Sequence, residues 1–312
     1  MNMKPKSRYK PARIALIFWT VFIGVGALFG SMMMLIDPSG KIIGMDGLLP
    51  YFQVLPFADI LFQNYIFAGV MLLMINGITN FSSAILLFLK KKSGIVLGAI
   101  FGVTLMLWIC FQFVIFPPNF MSSIFFVFGF LQALTGYMAL VFYQQETFVV
   151  CFSDYPNINK NHTVLVVYFS RMGYTKKIAL EEANRLGADL YEIKAKEKTD
   201  GTLGFWWCGR FAMHRYPMPI EPVSIDLSTY TEVIICSPIW VFSLSSPVRE
   251  FCRMAKGKII DASYILVHYT KGMYRNAVKE MDDLLGIKHS SFSSVTCREG
   301  KYKERKTDSP HL

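Results

Sequence analysis

The sequence has few residues in the arrangements that hold metals. Its six cysteines form no C-x-x-C pair and no closely spaced set with histidines, so neither an iron–sulfur cluster nor a structural zinc site is supported. All five histidines lie outside the long apolar runs, which excludes a bis-histidine haem within a membrane. There is also no basic stripe interleaved with aromatic residues, so nucleic acid is not an expected partner.

Charge is scarce in the first half of the chain. Residues 1–144 contain nine Lys/Arg and three Asp/Glu, almost all outside long apolar runs. The remainder holds 23 basic and 19 acidic residues, which is typical of an ordinary soluble domain. The composition therefore predicts two domains of different kinds.

Four apolar runs within residues 1–143 are long enough to cross a hydrocarbon core, which takes roughly 20 helical residues. They cover residues 14–36, 65–89, 95–116 and 121–143. The first is too long for a secretory signal peptide and lacks a small-residue cleavage site. Pro117-Pro118-Asn119 joins the last two runs as a tight turn, because proline cannot continue a helix. We therefore predict a four-span transmembrane domain.

Positive charge flanks these runs mainly on one side. Five basic residues between Lys4 and Arg13 precede the first run, and Lys90–Lys92 join the second and third, whereas the other side has only Lys41. Because positive charge favours the cytoplasm, we expect an integral protein of the cytoplasmic membrane, with the N-terminus and the C-terminus both in the cytoplasm.

The predicted spans contain a few uncharged polar residues: Asn76, Asn80, Ser82, Ser83, Gln112 and Gln132. Polar groups inside membranes can mark a substrate path. They also form interhelical hydrogen bonds worth roughly 1 kcal/mol each. Since the spans carry no charged residue away from their edges, we favour interhelical hydrogen bonds, and an ion-coupled transporter is disfavoured.

After a polar linker at residues 144–161, apolar strand and helix patterns alternate through residues 162–298. TVLVVYF at 163–169 is a continuous apolar run, typical of a parallel strand buried on both faces. Further strands are predicted at 190–193, 232–236, 259–269 and 292–297, and helices at 174–187, 248–255 and 275–285. This alternation predicts an α/β domain with a parallel sheet and right-handed crossovers. Residues 299–312 are predicted to be a charged tail.

In such sheets ligands bind outside the carboxyl ends of the strands, and the first loop at that edge is Ser170–Thr175, SRMGYT. It joins a strand to a helix, so its N–H groups and the helix dipole form an anion site, to which the hydroxyls of Ser170 and Thr175 add donors. Gly173 permits a positive φ. The loop matches neither GxxxxGK[ST] nor GxGxxG, which disfavours ATP and an NAD fingerprint.

Two further loops are expected at the same edge. Residues 237–247 place Trp240 just beyond the third strand, where its flat side chain can either stack on a ring system or pack against the protein. The third loop offers Tyr269, Thr270, Lys271 and Gly272. Three loops that converge on one edge favour a ligand site.

These motifs resemble those of the flavodoxin family, specifically its short bacterial flavodoxin-like members. SRMGYT is similar to that family's S/T-x-T/S-G-x-T phosphate loop. SPIWVFSLSSPVREF is similar to its second loop, G-S-P-I-W-W-x-x-x-x-x-P-V-R-x-F. The resemblance covers about residues 162–298. It implies a doubly wound, flavodoxin-like, five-stranded parallel sheet of order 2-1-3-4-5 that binds FMN non-covalently and transfers electrons.

The resemblance also implies roles for individual residues. The FMN phosphate would be held by Ser170, Arg171, Met172, Gly173, Tyr174 and Thr175. The second loop would contribute Ser237, Pro238, Ile239 and Trp240 to the flavin site, and the third Tyr269, Thr270, Lys271 and Gly272. No catalytic residue and no metal ligand is predicted.

The sequence departs from the family at several points. Met172 stands where the family usually has a hydroxyl, which removes a donor worth roughly 1.5–3 kcal/mol, although the backbone amide remains. Lys176 and Lys177 either offset this loss or are solvated helix lysines. The domain is slightly basic, which suits an anionic membrane surface. The segment GTLGFWWCGRFAMHRY, residues 201–216, could cap the flavin, contact the membrane interface or pack as a helix layer.

The leading hypothesis is a membrane-anchored FMN domain that passes electrons to or from a membrane protein or a quinone at the cytoplasmic face, as an electron carrier or oxidoreductase. The alternative is a degenerate flavodoxin-like module with a non-redox regulatory or scaffolding role on the helical bundle. A third hypothesis is a small transporter with a flavodoxin-like regulator. Glu182 and Asp282 are expected on solvated helix faces, and Cys236 is expected to be a buried thiol.

Overall fold

The computed structural model describes residues 7–298 and 300–308, in two units, Met1–Tyr143 and Gln144–Leu312. The helices that begin in the first unit are α1 (Tyr9–Ile36), α2 (Ala58–Leu61), α3 (Ile66–Leu72), α4 (Thr79–Phe88), α5 (Lys92–Ile115) and α6 (Phe120–Thr147). A π-helical segment, Leu73–Ile78, makes α3 and α4 continuous. A 3₁₀ helix, Asp46–Val54, lies between α1 and α2.

All four predicted apolar runs are helical, although their bounds differ from the predicted ones. Four helices are long and apolar enough to cross a membrane: Tyr9–Ile36, Ile66–Phe88, Lys92–Ile115 and Phe120–Thr147. The last continues past residue 143, so the predicted linker begins within α6. Lys4 and Lys6, which contributed to the predicted orientation, lie outside the described residues.

Buried polar side chains join the helices of the first unit. Gln132 on α6 donates from Nε2 to Asn80 Oδ1 on α4 and to the carbonyl oxygen of Gly98 on α5, both at 2.8 Å. Ser122 on α6 donates to Gln112 Oε1 on α5 at 2.9 Å. Ser83 on α4 donates to the carbonyl oxygen of Gly94 on α5 at 2.9 Å, whereas Ser82 donates to Thr79 within its own helix. Interhelical hydrogen bonding is therefore confirmed for Asn80, Ser83, Gln112 and Gln132.

The second unit is built on one sheet. Its strands are β1 (Asn161–Tyr168), β2 (Ala188–Glu192), β3 (Glu232–Trp240), β4 (Ser243–Leu244), β5 (Ala262–His268), β6 (Ser291–Arg298) and β7 (Lys301–Asp308). Their order is β2-β1-β3-β5-β6-β7, with β4 paired to β3. β4 and β7 run antiparallel to their neighbours, and the other pairings are parallel. The sheet thus differs from the predicted five strands in order 2-1-3-4-5.

Helices cover both faces of the sheet: α7 (Tyr174–Leu186), α8 (Gly201–Met213), α9 (Ser246–Met254) and α10 (Arg275–Leu285). Neighbouring side chains of a strand point to opposite faces, so β1 contributes side chains to two hydrophobic cores, one on each face of the sheet. Val166 packs with α7 in one core, and Val167 packs with α9 and α10 in the other.

The predicted charged tail is wrong for residues 301–308, which form β7. This strand pairs antiparallel with β6, and Tyr302 Oη donates to the carbonyl oxygen of Tyr174 at 2.7 Å. Basic side chains are common on edge strands because they discourage further pairing. β7 therefore extends the sheet beyond β6, where the sequence predicted no element.

Glu182 on α7 is buried, contrary to the predicted solvated position. Its carboxylate accepts from Arg185 at 2.7 Å and from Arg305 at 3.3 Å. Burial alone would raise the pKa of Glu182, but the two guanidinium groups hold it below its ordinary value. A charge in this position is tolerated because it is paired.

Candidate functional site

The carboxyl ends of β1, β3 and β5 meet around a cavity of about 350 Å³. This volume falls at the lower end of the range of small-molecule sites, roughly 300–1,000 Å³. The walls are mainly apolar and aromatic, and polar groups come from the loop before α7 and from the end of β5. Such a lining suits a ring system with a polar or charged substituent.

The loop between β1 and α7 has the geometry of an anion-binding helix N-terminus. Gly173 caps α7 with a φ of 84°, which is strained for any residue with a Cβ. A Cβ at this position would also lie 3.0 Å from Phe148 Cδ1. The first N–H groups of α7 have no acceptor within the helix. These donors and the hydroxyls of Ser170 and Thr175 can hold a phosphate.

Arg171 joins this loop to the start of α8. Its Nε donates to the carbonyl oxygen of Thr199 at 2.9 Å, and its Nη2 donates to that of Gly201 at 3.0 Å. The guanidinium carbon lies 5.2 Å from the ring centre of Phe205. Burial raises the pKa of the Cys208 thiol to about 11, although Arg171 acts against this shift. Cys208 is therefore a neutral thiol in the cavity wall.

The predicted second loop, residues 237–247, is instead a tight β-hairpin followed by α9. β3 continues to Trp240 and pairs with β4 after a two-residue turn. The turn residues Val241 and Phe242 have φ values of 45° and 59°, where hairpins normally carry Asn-Gly. Left-handed non-glycine residues cost about 1–3 kcal/mol each and cluster at ligand sites.

Trp240 lies partly buried in the cavity wall. Its ring meets Phe169 edge to face, with the ring centres 5.4 Å apart, so the contact with the residue that follows β1 fixes its orientation. Ser237, by contrast, is fully buried and shares a hydrogen bond of 2.9 Å with Ser245. Ser237 therefore holds the hairpin together and does not line the cavity.

The arginine of the S-P-V-R-E-F stretch is also structural. Arg249 is buried and pairs with Glu280 on α10. It donates to the carbonyl oxygen of Leu244 at 3.1 Å and to that of Tyr216 at 3.3 Å. One side chain thus joins β4, the segment after α8, and α10.

His268 ends β5 and is buried beside the cavity. Its Nδ1 donates to the carbonyl oxygen of Thr270 at 2.5 Å, and its Nε2 lies 2.6 Å from Ser294 Oγ. Ser294 Oγ also lies 2.7 Å from the carbonyl oxygen of Gly272. Burial lowers the pKa of His268, although the bond to Thr270 opposes the shift. The Ser294 hydroxyl has one proton, so it donates either to Gly272 or to His268 Nε2, and burial of the ring favours its uncharged form.

The structure brings most, but not all, of the predicted site residues to the cavity. Those that line it are Ser170, Arg171, Met172, Tyr174, Thr175, Pro238, Ile239, Trp240 and Tyr269. The other five do not line the cavity. Gly173 lies in the backbone of the first loop, and Ser237 is buried in β3. Thr270, Lys271 and Gly272 are exposed. Thr270 is hydrogen-bonded to Tyr274.

Other lining residues were not among the predicted site residues: Phe205, Cys208, Gly209, Val241, Val267, His268 and Cys297. Val267, His268 and Cys297 lie within strands that sequence patterns place in the core. Phe205, Cys208 and Gly209 belong to α8. The sequence predicts that their segment, residues 201–216, could cap the flavin, but it does not indicate which of its residues would contact it.

The fold and the cavity define the second unit as a mixed, mainly parallel α/β domain with a ligand-sized site at the carboxyl edge of its sheet. No protein-family model matches the chain, and no curated protein sequence does either. Solved structures similar to part of the chain include a flavoprotein in complex with FMN from Lactobacillus acidophilus. It is 22% identical over 43% of this chain and 93% of its own, with a TM-score of 0.37.

Two putative flavoproteins from Bacteroides are similar to the same extent. That of Bacteroides eggerthii is 20% identical over 43% of this chain and 86% of its own, with a TM-score of 0.36. That of Bacteroides uniformis is 21% identical over 43% of this chain and 88% of its own, also with a TM-score of 0.36.

Proposed function

We propose that the second unit binds FMN in this cavity and transfers electrons, and that the four apolar helices anchor it to the cytoplasmic membrane. The observation that carries the proposal is the position of an anion-binding helix start and an aromatic-lined cavity on one edge of the sheet. FMN combines the two features that such a site would recognise, a phosphate and a flat ring system.

The residues present fit this cofactor. The hydroxyls of Ser170 and Thr175 and the first N–H groups of α7 would hold the phosphate, with Gly173 allowing the close approach. Trp240 and Tyr269 would border the ring. The backbone N–H of Met172 is present whatever the side chain. The missing hydroxyl therefore weakens phosphate binding by the loop but does not abolish it.

Bound FMN would supply the redox chemistry, and the protein would supply orientation and electrostatics. Burial lowers the pKa of His268, which disfavours a positive charge on this side chain in the cavity wall. Burial raises the pKa of the Cys208 and Cys297 thiols, and a protonated thiol is a poor nucleophile. The cavity therefore offers no competing nucleophilic chemistry from these cysteines.

The membrane part of the proposal rests on the four helices of membrane length and on the basic flanks. Lys90–Lys92 between the second and third of these helices favour that side as cytoplasmic. A redox partner for such a protein would itself lie in or at the membrane, as a membrane protein or a quinone.

Titration of the full chain in detergent with FMN and with riboflavin tests the site. FMN should bind more tightly, because riboflavin lacks the phosphate that the start of α7 would hold. A folded chain that binds neither would instead favour the non-redox regulatory or scaffolding module. Two observations keep that alternative open: Met172 in the phosphate loop, and an Arg171 whose guanidinium donates to carbonyl oxygens.

A further inference from the structure

α8 packs against its domain through small residues. Its buried positions are Gly201, Gly204, Cys208 and Ala212, which follow one another at helical spacing. A Cβ on Gly204 would lie 2.4 Å from the carbonyl carbon of Thr199, so the helix backbone lies directly on the preceding segment. This face buries little apolar side-chain surface.

Several large side chains of α8 lie on its outer face. Leu203, Trp206 and Met213 are 73%, 67% and 69% exposed, and Trp207 is also exposed. A helix of a soluble domain normally has the opposite arrangement, with its large apolar residues in the core. Contiguous exposed apolar residues of this kind mark an interaction surface.

Charge and residue type indicate what covers this surface. Residues 201–216 include Arg210, His214 and Arg215 and no Asp or Glu. Arg210 lies with its guanidinium carbon 4.9 Å from the ring centre of Trp207. Tryptophan next to arginine on an exposed helix face is typical of segments that lie in the headgroup layer of a membrane.

We propose that α8 and residues 214–216 lie in the headgroup interface of an anionic bilayer, with Leu203, Trp206 and Met213 directed into it. The positive charge of Arg210 and Arg215 complements the negative charge of anionic lipid. The chain also carries four helices of membrane length, so a bilayer would be present at high effective concentration.

This surface is connected to the candidate site but does not depend on its ligand. Phe205 and Cys208 of the same helix line the cavity, and Arg171 fastens the start of the helix to the phosphate loop. Docking of α8 would therefore bring the cavity to the lipid surface whether or not FMN is bound.

Tryptophan fluorescence of the full chain in nanodiscs tests the proposal. Replacing Trp19, Trp108 and Trp240 by Phe leaves Trp206 and Trp207 as the tryptophans. The discs contain phosphatidylcholine and phosphatidylglycerol, with or without bromine on the acyl chains, and one protein chain per disc. Bromine should quench the emission, which should be shifted to the blue. Unquenched emission typical of indole in water would overturn the proposal.

Lipid composition and charge provide the controls. Quenching should weaken in discs of phosphatidylcholine alone and in the exposed double variant Arg210→Gln, Arg215→Gln. Equal quenching with and without phosphatidylglycerol would overturn the assignment to an anionic surface. Blue-shifted emission that bromine does not quench would show that protein covers the helix, which would overturn it as well.

A second measurement avoids the tryptophan replacements. The unaltered chain can be reconstituted with photoreactive phosphatidylglycerol and its peptides examined for lipid adducts. Adducts within residues 201–216 are expected, and their absence when the membrane-spanning peptides are labelled would contradict the proposal.

Discussion

Nε of Arg171 lies 2.9 Å from the carbonyl oxygen of Thr199, which ties the proposed phosphate loop to the segment that begins α8. A second bond, from Nη2 to the carbonyl oxygen of Gly201, completes a two-point attachment. The arginine of the loop thus supports the wall of the cavity, whereas the proposed anion donors are the hydroxyls of Ser170 and Thr175 and the backbone N–H groups of the loop. One residue therefore connects the proposed phosphate loop to the start of α8.

Arg171→Lys should loosen α8. A lysine ammonium is a compact charge that cannot reproduce the planar two-point contact, and hydrogen bonds from a charged donor contribute about 1.5–3 kcal/mol. We expect a lower unfolding temperature and faster proteolysis within residues 199–216. Arg253→Lys is the matched control, because that side chain is largely exposed in its pair with Glu250. An equal effect of both variants would contradict the role of Arg171.

Thr175→Val should weaken FMN binding selectively. The side chain is buried at the start of α7, and losing a hydrogen bond to a charged phosphate costs about 1.5–3 kcal/mol. This corresponds to roughly a ten- to hundredfold loss in affinity for FMN, while riboflavin binding should not change. Thr229→Val, at an exposed threonine, is the control in calorimetric titrations. A similar loss for FMN and riboflavin would show that Thr175 does not contact the phosphate.

The double variant Val241→Asn, Phe242→Gly should stabilise the hairpin. Asparagine and glycine adopt positive φ at low cost, so we expect a gain of about 1 kcal/mol or more in the free energy of unfolding. Phe242→Ala, which keeps a Cβ at a φ of 59°, should give no such gain. Denaturant unfolding of the wild type, the double variant and Phe242→Ala measures these differences in the free energy of unfolding. A destabilised double variant would show that the turn is not strained.

His268 should make the second unit less stable at acidic pH. Because burial lowers its pKa in the folded state, the unfolded chain takes up the proton at higher pH. Stability is therefore complete above the ordinary pKa of about 6.5 and decreases as pH falls towards the folded value, by at most about 1.4 kcal/mol per pH unit. Comparing the pH dependence of unfolding for His268→Gln with the wild type isolates this contribution.

The control for this comparison is His162→Gln, at a histidine whose side chain is 72% exposed. It should retain the acid sensitivity of the wild type, whereas His268→Gln should lose part of it. Identical pH profiles for the wild type and His268→Gln would contradict the interpretation of His268.

Local sequence patterns were enough to locate the helices and strands whose apolar residues recur at a regular period. Arg275–Leu285 is α10 at the predicted bounds, because its apolar residues follow the helical period. β7 was missed because its residues are strongly charged and show no apolar alternation, so its strand character depends on pairing with β6, the strand that precedes it in the sequence. β4 was missed because a strand of two residues is too short to show an alternation of apolar and polar side chains.

The candidate site was predictable where it follows from strand ends, and less so elsewhere. Thr175 and Trp240 were found because each lies just beyond or at the end of an apolar run. His268 was missed because the run that contains it predicts a core strand. A usable signal for α8 was present in the sequence: Gly201, Gly204, Cys208 and Ala212 are small residues at helical spacing, flanked by aromatics.

Cofactor analysis of the full chain tests the central claim most directly. The chain is purified in detergent after expression in cells that make flavins, its visible absorbance is recorded, and the cofactor released on denaturation is identified by mass. We predict flavin absorbance and release of FMN in an amount equal to that of the protein. A folded, colourless chain that stays colourless after incubation with FMN would contradict the claim.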